Sequence, residues 1–229
     1  MKKILVVEDR DTTMRQLKQN LERERYEVYT AQRGREALDI IAHRHVDLVL
    51  LDLKLPDMSG LCVCNEFRNA YPTLPIIIVS IKTGEREKVS ALEQCADDYV
   101  AKPFYMSELL QRIKNQFRLA ARMRAGGERR NFKAGPLEVN FAERQVRVNG
   151  EDISLTYTEY ELLYVLVTNA GRTVTYDIIY SQVWEDEDIS ERKNIHVYVN
   201  RLRKKIENPA GCHFIHNEPK VGYRFQLNE

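Results

Sequence analysis

The sequence predicts a doubly wound α/β domain followed by a smaller α+β domain. Residues 3–120 alternate short apolar runs with segments of helical periodicity, whereas residues 132–229 change to short strands, three helices and a closing hairpin. Continuous apolar strands separated by helices are typical of a parallel sheet that is covered on both faces. A length of 229 residues also suits two modest domains, each with its own core.

The elements of the first domain alternate strictly along the chain. The apolar runs predict strands at 4–7, 27–29, 46–51, 76–79 and 98–101. The periodic segments between and after them predict helices near 11–24, 33–43, 60–70, 85–94 and 106–120. The result is a five-stranded parallel sheet, and ligands of such folds bind outside the carboxyl ends of the strands.

The second domain begins after a break in the pattern. Periodicity lapses over 121–131, where Gly126 and Gly127 stand together, so we predict a flexible linker there and domains at 1–120 and 132–229. Beyond it we predict antiparallel strands at 137–139 and 145–148, helices at 158–168, 177–184 and 194–207, and a hairpin made of 213–216 and 223–225. We expect the third helix to end before Asn208-Pro209.

Composition points to an intracellular protein. No apolar stretch approaches the roughly 20 residues that span a bilayer, and Met1-Lys2-Lys3 leads directly into a strand, so we expect a cytoplasmic location and no membrane contact. Four cysteines (Cys62, Cys64, Cys95 and Cys212) show no zinc-site spacing. Because the first two point in different directions on a helix and the others lie far away, we expect reduced thiols.

Polar side chains collect where the predicted strands of the first domain end. Glu8 and Asp9 follow the first strand, Asp52 the third, Ser80 ends the fourth and Lys102 follows the fifth. Each alone could be a turn, a cap or a solvated side chain, but their conjunction on one rim favours a site. Three neighbouring carboxylates repel one another, and a hard divalent cation such as Mg²⁺ relieves that repulsion.

The same rim suits phosphoryl chemistry. Lys102 can bind a phosphoryl oxygen as a point charge, and the Ser80 hydroxyl can donate to another. Asp52 is then left as the nucleophile.

Three motifs of the first domain resemble the receiver domains of two-component response regulators, a flavodoxin-like fold: Val6-Val7-Glu8-Asp9, residues 51–60 and residues 96–104. The resemblance implies that Asp52 accepts a phosphoryl group from a sensor histidine kinase. It implies that Glu8 (directly or through water), Asp9, Asp52 and the Lys54 carbonyl hold Mg²⁺, and that Ser80 and Tyr99 form a switch pair. Plain core packing of Tyr99 is the alternative.

The chain departs from the receiver pattern at three positions. Ser80 stands where threonine is usual, Ile81 where a small residue is usual, and Cys95 in place of a typical glycine. Serine keeps the hydrogen bond. Ile81 beside Asp52 would crowd the entry of water or small phosphodonors, so we predict a slow or selective receiver.

The third helix of the second domain has the pattern of a DNA-reading helix. Ile195, Val199, Leu202 and Ile206 form its apolar stripe. Residues 132–229 hold 12 basic and 15 acidic side chains, yet six of the 12 lie within 192–205, a separation that solubility does not require. We expect base contacts from Asn194, Val197, Tyr198 and Arg201, and phosphate contacts from Lys193, Arg203, Lys204 and Lys205.

Residues 132–229 resemble the winged helix-turn-helix output domain of the OmpR/PhoB family. The resemblance implies double-stranded DNA with tandem half-sites as the target, a wing contact from Lys220, and a loop around 184–191 that faces RNA polymerase. It also implies a homodimer formed on phosphorylation. The pairs carried over to its interface are Lys88 with Glu108, Asp98 with Arg112, and Asp97 with Arg118.

Together these features predict a transcription regulator that is activated by phosphorylation and is not an enzyme. One alternative is a regulator that dimerises constitutively without phosphorylation. Another is an Mg²⁺-dependent phosphohydrolase, against which Lys54 counts, because it stands where general acid catalysis would need a second carboxylate.

Overall fold

The apolar runs of the first domain form one parallel sheet. A computed structural model describes residues 1–81, 91–92, 94–124, 131–184 and 195–226, except for the side chains of 122–124. The chain divides into two compact units, Met1–Lys114 and Asn115–Glu229. The strands of the first unit are β1 (Lys3–Val7), β2 (Glu27–Ala31), β3 (Leu48–Leu51), β4 (Ile76–Ile81) and β5 (Asp98–Lys102).

The order of these strands places a crevice at a defined point. The sheet runs β2-β1-β3-β4-β5, and all neighbouring pairs are parallel. The direction of winding reverses between β1 and β3, and ligands of open α/β sheets bind at such a switch point. Val7 and Leu51, the last residues of β1 and β3, lie side by side, so the residues that follow them meet at that crevice.

Four described helices accompany this sheet: α1 (Asp11–Arg23), α2 (Gly34–His43), α3 (Gly60–Ala70) and α4 (Met106–Arg124). Helix α1 buries Met14, Leu17 and Leu21 at helical spacing, and α3 begins at a Ser59 cap whose hydroxyl accepts from the Leu61 amide. The predicted helix near 85–94 lies largely outside the described residues, although 91, 92 and 94 are helical. Helix α4 continues to Arg124, into the segment predicted as a linker.

The second unit combines two small antiparallel sheets with three helices. One sheet has the order β6 (Phe132–Ala134), β7 (Leu137–Asn140), β8 (Gln145–Val148), β9 (Glu151–Asp152). The helices are α5 (Tyr157–Thr168), α6 (Tyr176–Val183) and α7 (Ile195–Ala210). The other sheet has the order β10 (Thr173–Thr175), β12 (Gly222–Phe225), β11 (Ile215–Glu218).

Helix α5 forms the centre of this unit. Nine of its residues are buried, and it packs against both α6 and α7. A capping box fixes its start, since the Thr156 hydroxyl accepts from the Glu159 amide and the Glu159 carboxylate accepts from the Thr156 amide. Helix α6 has a similar cap at Thr175.

The end of α7 differs from its prediction. The helix includes Asn208 and Pro209 and closes only at Gly211, whose amide donates to the Glu207 carbonyl at 2.9 Å and whose φ is +67°. A proline in the last turn costs little because few amides follow it in the helix.

The cysteines also differ from their prediction. Cys64 and Cys95, which lie 31 residues apart in the sequence, form a disulfide with a Cα–Cα distance of 5.7 Å, whereas Cys62 and Cys212 are free. The expectation of four reduced thiols was wrong because the fold brings α3 against the turn that ends at Cys95. Among the helices in the described part of the chain, none has the length and apolar character needed to cross a bilayer.

Candidate functional site

Three carboxylates meet at the switch point of the first unit. Glu8 and Asp9 follow β1, and Asp52 follows β3; one ligand oxygen from each lies within 4.8 Å of the others. Glu8 and Asp52 are buried, whereas Asp9 is exposed. Buried carboxylates require a cation or hydrogen-bond donors close by. The cluster therefore has the oxygen ligands that suit a hard divalent cation, with one member open to solvent.

Lys102 supplies a positive charge to this cluster. It ends β5, and its ammonium lies 2.6 Å from Asp52 Oδ2 and also donates to Glu8 Oε2. Burial raises the pKa of the Glu8 carboxyl, and the nearby Lys102 acts in the opposite direction. The next peptide bond, to Pro103, is cis.

The Asp52 carboxylate is fixed through both oxygens. Oδ1 accepts from the Ser80 hydroxyl at 2.7 Å and from the Lys54 amide at 2.9 Å, while Oδ2 faces Lys102. The structure thus brings together Asp52, Ser80, Lys102 and the two other carboxylates, as their places at the strand ends predicted. Lys54 contacts Asp52 through its amide, and metal binding by its carbonyl stays a prediction.

Tyr99 and Ile81 lie beside this group. The Tyr99 side chain is 2% exposed, and its hydroxyl donates to the Ile81 carbonyl at 3.3 Å. Tyr99 therefore packs in the core of the first unit, and its role as a switch stays a prediction. Ile81 is partly exposed and lines a cavity of about 590 Å³ together with Lys102.

That cavity lies between α1 and the segment that follows β5. It is lined on one side by Thr13, Gln16, Leu17 and Asn20, and on the other by Pro103, Phe104 and Met106. Lys102, which lines this cavity, also lies 2.6 Å from the Asp52 carboxylate.

Sequence reasoning missed a second role in the loop after Asp52. The Asp57 carboxylate accepts from the amides of Gly34 (2.8 Å) and Arg35 (3.0 Å), the first residues of α2, and these donors lower the pKa of Asp57. The loop that follows the candidate phosphoacceptor is thereby tied to a neighbouring helix. The sequence signal was an aspartate in a turn, which alone does not identify its partner.

The predicted dimer residues are largely engaged within the chain. Arg112 pairs with Asp98 at 3.0 Å and with Glu108 at 3.2 Å, and Asp98 and Arg112 are both buried. Asp98 and Arg112 thus pair within one chain, and their role in a dimer interface stays a prediction. Lys88 lies outside the described residues.

Two further members of that set have local partners in the structure. The Asp97 carboxylate, 1% exposed, accepts from Arg68 at 2.6 Å and from the Ile76 amide at 3.0 Å. Arg118 donates to Asn115 within α4.

Helix α7 confirms the predicted apolar stripe, and it also buries three residues that were predicted to contact bases. Ile195, Val199, Leu202 and Ile206 are all fully buried. Val197, Tyr198 and Arg201, predicted to contact bases, are buried as well. The exposed positions are His196, Asn200, Lys204 and Asn208, which form a stripe at helical spacing, and Pro209 in the last turn. Lys193 and Asn194 lie outside the described residues.

Contacts with other elements of the unit account for the burial of Tyr198 and Arg201. Tyr198 packs against Trp184, with ring centroids 5.1 Å apart. Arg201 forms an ion pair with Glu159 of α5 at 2.9 Å, and Lys205 reaches the same carboxylate at 2.7 Å. These contacts direct both side chains into the unit, and base contact by Val197, Tyr198 and Arg201 stays a prediction.

The residues that were predicted to contact phosphates differ in their exposure. Lys204 is exposed, whereas Arg203 is partly exposed and donates to the Ile215 carbonyl at 2.8 Å. Lys220, at the tip of the β11–β12 hairpin, is exposed and has a φ of +66°. Two exposed lysines thus lie on α7 and on the hairpin tip.

The hairpin is joined to the start of α7 by side-chain contacts. The Tyr223 hydroxyl and His196 Nδ1 form a hydrogen bond, and Tyr176 packs against both rings. Burial raises the pKa of Tyr223 to about 12, so its hydroxyl stays protonated near neutral pH. His196 was missed from the sequence because its neighbours Val197 and Tyr198 matched the expected polar and apolar mixture more closely.

Two family descriptions match this chain. "Response regulator receiver domain" matches residues 4–114, and "Transcriptional regulatory protein, C terminal" matches residues 150–225. The chain is 36% identical over 221 residues to the response regulator MprA of Mycolicibacterium vanbaalenii, with 96% of each chain covered.

Solved structures resemble the whole chain. A mutant of RitR aligns over 100% of both chains with a TM-score of 0.80 and 25% identity. DrrB of Thermotoga maritima, described as an OmpR/PhoB homologue, aligns over 99% of both chains with a TM-score of 0.54 and 28% identity.

Proposed function

Because the chain belongs to the two-component response regulators of the OmpR/PhoB type, with a receiver domain and a DNA-binding domain, we propose that phosphorylation of Asp52 by a sensor histidine kinase controls its sequence-specific binding to DNA. We assign residues 1–120 to the receiver, 121–131 to the connection and 132–229 to the DNA-binding domain. The connection begins as the last turn of α4.

The observation that carries this proposal is the way Asp52 is held. One carboxylate oxygen accepts two hydrogen bonds, from Ser80 and the Lys54 amide, and the other faces the Lys102 ammonium. In the transfer, a bond forms between an Asp52 oxygen and phosphorus while the phosphorus–nitrogen bond to the kinase histidine breaks. Lys102 and Ser80 are then placed to bind the phosphoryl oxygens.

The acidic cluster fits Mg²⁺. Its donors are hard oxygen atoms, and Glu8, Asp9, Asp52 and the Lys54 carbonyl would hold the ion. When bound, Mg²⁺ would neutralise negative charge on the phosphoryl group and its donor. Removal of divalent cations by a chelator is expected to abolish phosphorylation of Asp52.

We propose that the kinase docks at the cavity between α1 and the Pro103–Met106 segment. The recess opens beside Lys102 and Ile81, so a helix lying there would bring a histidine near Asp52.

DNA contact is assigned to the first three positions of the exposed stripe of α7, His196, Asn200 and Lys204, and to the hairpin tip. His196 and Asn200 present polar groups suited to base edges, and Lys204 and Lys220 suit phosphates. A homodimer on tandem half-sites would double this contact, and RNA polymerase is the expected partner of the loop that follows Trp184. Because its target is chromosomal DNA, the protein is assigned to the cytoplasm.

The cluster does not have the residues of a turnover enzyme. Lys54 occupies the position two residues after Asp52, where a phosphohydrolase would need a carboxylic acid to protonate the leaving group. Steady release of phosphate from a phosphoester would favour the hydrolase alternative and contradict this assignment.

DNA selection from random sequence tests the function directly. The full-length protein is used with and without a phosphoryl mimic that binds at Asp52, and Asp52→Asn serves as the control variant. We expect enrichment of a tandem site that depends on the mimic and is lost in the variant. Equal DNA affinity and dimerisation in all conditions would support the phosphorylation-independent alternative.

A further inference from the structure

A pair of buried cysteines joins α3 to the turn that precedes β5. Cys64 is on the buried face of α3, and Cys95 closes the helical turn that begins at Ala91. Both are 0% exposed, and their Cα atoms are 5.7 Å apart, within the range that a disulfide spans. Cys62 is exposed and Cys212 is half-buried, and neither has a disulfide partner.

Contacts other than the sulfur–sulfur bond hold the two cysteines together. Arg68 lies one turn after Cys64 on α3, and its guanidinium donates to the Cys95 carbonyl at 2.9 and 2.8 Å. The same guanidinium donates to Asp97 at 2.6 Å and to the Leu74 carbonyl at 2.9 Å. Because this clamp does not involve sulfur, the two thiols stay near each other after reduction, at a high effective concentration.

We propose that Cys64 and Cys95 form a reversible thiol–disulfide site that gives the receiver a redox input in addition to phosphorylation. In a reducing compartment, a pair of cysteines poised to join is more typical of redox sensing than of permanent cross-linking. The redox role of the pair rests on the proposed function, which assigns the protein to the cytoplasm.

The oxidant is a low-molecular-weight disulfide. One protein thiolate attacks it, one thiol leaves and a mixed disulfide forms; the second thiolate then displaces the other thiol and closes the Cys64–Cys95 bond. The protein loses two protons and two electrons, and the reagent becomes two thiols. Because both sulfurs are buried, attack requires local opening of the turn at Cys95.

The bond joins two segments that each lead to Asp52. Helix α3 begins at Gly60, whose Cα packs against the main-chain oxygen of Asp52. Tyr99 follows Cys95 by four residues. Its hydroxyl donates to the carbonyl of Ile81, the residue after Ser80. The disulfide therefore links the helix that begins next to Asp52 to the turn that leads into β5, and after reduction the Arg68 clamp and the hydrogen bond from Asn65 to Gln94 still join these segments.

Thiol counting in the full-length protein tests the redox site. The protein is equilibrated in buffers that differ in the ratio of reduced to oxidised glutathione. It is then denatured and alkylated, and the mass of the intact chain is measured by mass spectrometry. We expect two cysteines to become protected as the buffer grows more oxidising and to be recovered in dithiothreitol. Cys64→Ala and Cys95→Ala should each abolish this pair, while Cys62→Ala and Cys212→Ala should leave it unchanged.

Two outcomes of this experiment would overturn the proposal. Four alkylated cysteines at every buffer ratio would show that the pair does not form, and a pair that the native protein keeps in strong reductant would show a purely structural bond. The wild-type titration needs no variant, so it decides the matter even where an alanine variant does not fold.

The coupling to Asp52 is measured separately. Phosphorylation by acetyl phosphate is followed in oxidised and reduced wild type, and we expect a rate difference of about fivefold that disappears in Cys64→Ala. Equal rates would overturn the redox input. Absence of phosphorylation in both states would contradict the proposed function instead, and the thiol count would still report on the redox pair.

Discussion

Gly60 packs so closely against the main chain of Asp52 that a Cβ at position 60 would lie 2.3 Å from the Asp52 carbonyl oxygen and 2.6 Å from the Leu53 Cα. Both contacts are with backbone atoms, which cannot move away by changing rotamer as a flexible side chain can. The first residue of α3 thus sets the position of the candidate phosphoacceptor, and only glycine fits there.

Gly60→Ala is expected to displace Asp52 from Ser80 and Lys102 and to lower its phosphorylation rate about tenfold or more, since small misplacements of reacting groups have large effects. Phosphoprotein formed from acetyl phosphate is measured over time. Cys62→Ala, an exposed change on the same helix, is the control and should phosphorylate normally. A normal rate in Gly60→Ala would show that the loop absorbs the added methyl group without moving the carboxylate.

Ile81→Ala is expected to shorten the lifetime of the phosphorylated Asp52, because Ile81 lines the cavity beside Lys102 and its removal opens a path for water. The decay of isolated phosphoprotein is followed in both proteins. Ile40→Ala, at a partly exposed position of α2, removes the same atoms away from the site and should not alter the decay. An unchanged lifetime in Ile81→Ala would exclude the crowding hypothesis.

Glu159→Gln is expected to destabilise the second unit by about 3–5 kcal/mol near neutral pH, because it removes the carboxylate charge that faces the buried Arg201 guanidinium. Fluorescence of Trp184, the single tryptophan of the chain, reports urea unfolding of this unit. Glu138→Gln removes an exposed ion pair with Lys133 and is the control, which should leave the urea midpoint nearly unchanged.

The same pair predicts how stability depends on pH. Burial alone would raise the pKa of Glu159, but Arg201 and Lys205 outweigh it and lower the pKa below the ordinary 4.5. A carboxylate with a depressed pKa stabilises the fold above its unfolded value and loses that contribution as pH falls through the folded value. Wild type should therefore lose stability below about pH 4.5 more steeply than Glu159→Gln, and parallel curves would contradict the assignment.

Asn200→Ala is expected to weaken discrimination at one base step by about 1–3 kcal/mol, since Asn200 lies on the exposed stripe of α7. Competition binding with single-base variants of the selected site measures the effect. Asn208→Ala, exposed on the last turn of the same helix, is the matched control and should keep full discrimination. If the two variants behave alike, base contacts lie elsewhere on the domain.

The rim of the first unit was predictable from sequence because topology alone determines it. The carboxyl ends of parallel strands meet at one edge, so Glu8, Asp52, Ser80 and Lys102 had to converge once the strands were recognised. The exposed face of α7 was not determined in this way. Periodicity identified the stripe that includes Ile195 and Leu202, but the width of a buried face depends on neighbouring elements.

The differences between the predictions and the structure also come from the packing of neighbouring elements. Arg201 is turned inward by a carboxylate of α5, more than 40 residues earlier in the chain, and Tyr198 by Trp184. Likewise, the Cys64–Cys95 contact depends on how α3 packs against a distant turn. Pairings of this kind depend on tertiary structure, and the local spacing of residues in the sequence does not predict them.

The glutamate at position 159 also has a consequence for the ionic-strength dependence of DNA binding. Of the four lysines and arginines in α7, Arg201 and Lys205 are paired with Glu159, and Arg203 lies 3.9 Å from Glu207. Within the part of the chain that the structure describes, Lys204 is the one with no acidic partner. Counterion release changes the logarithm of affinity by about 0.9 per neutralised phosphate for each logarithmic unit of salt. One copy of α7 would thus give a shallow salt dependence, and tolerance to high salt would come from hydrogen bonding and pairing of two copies more than from charge.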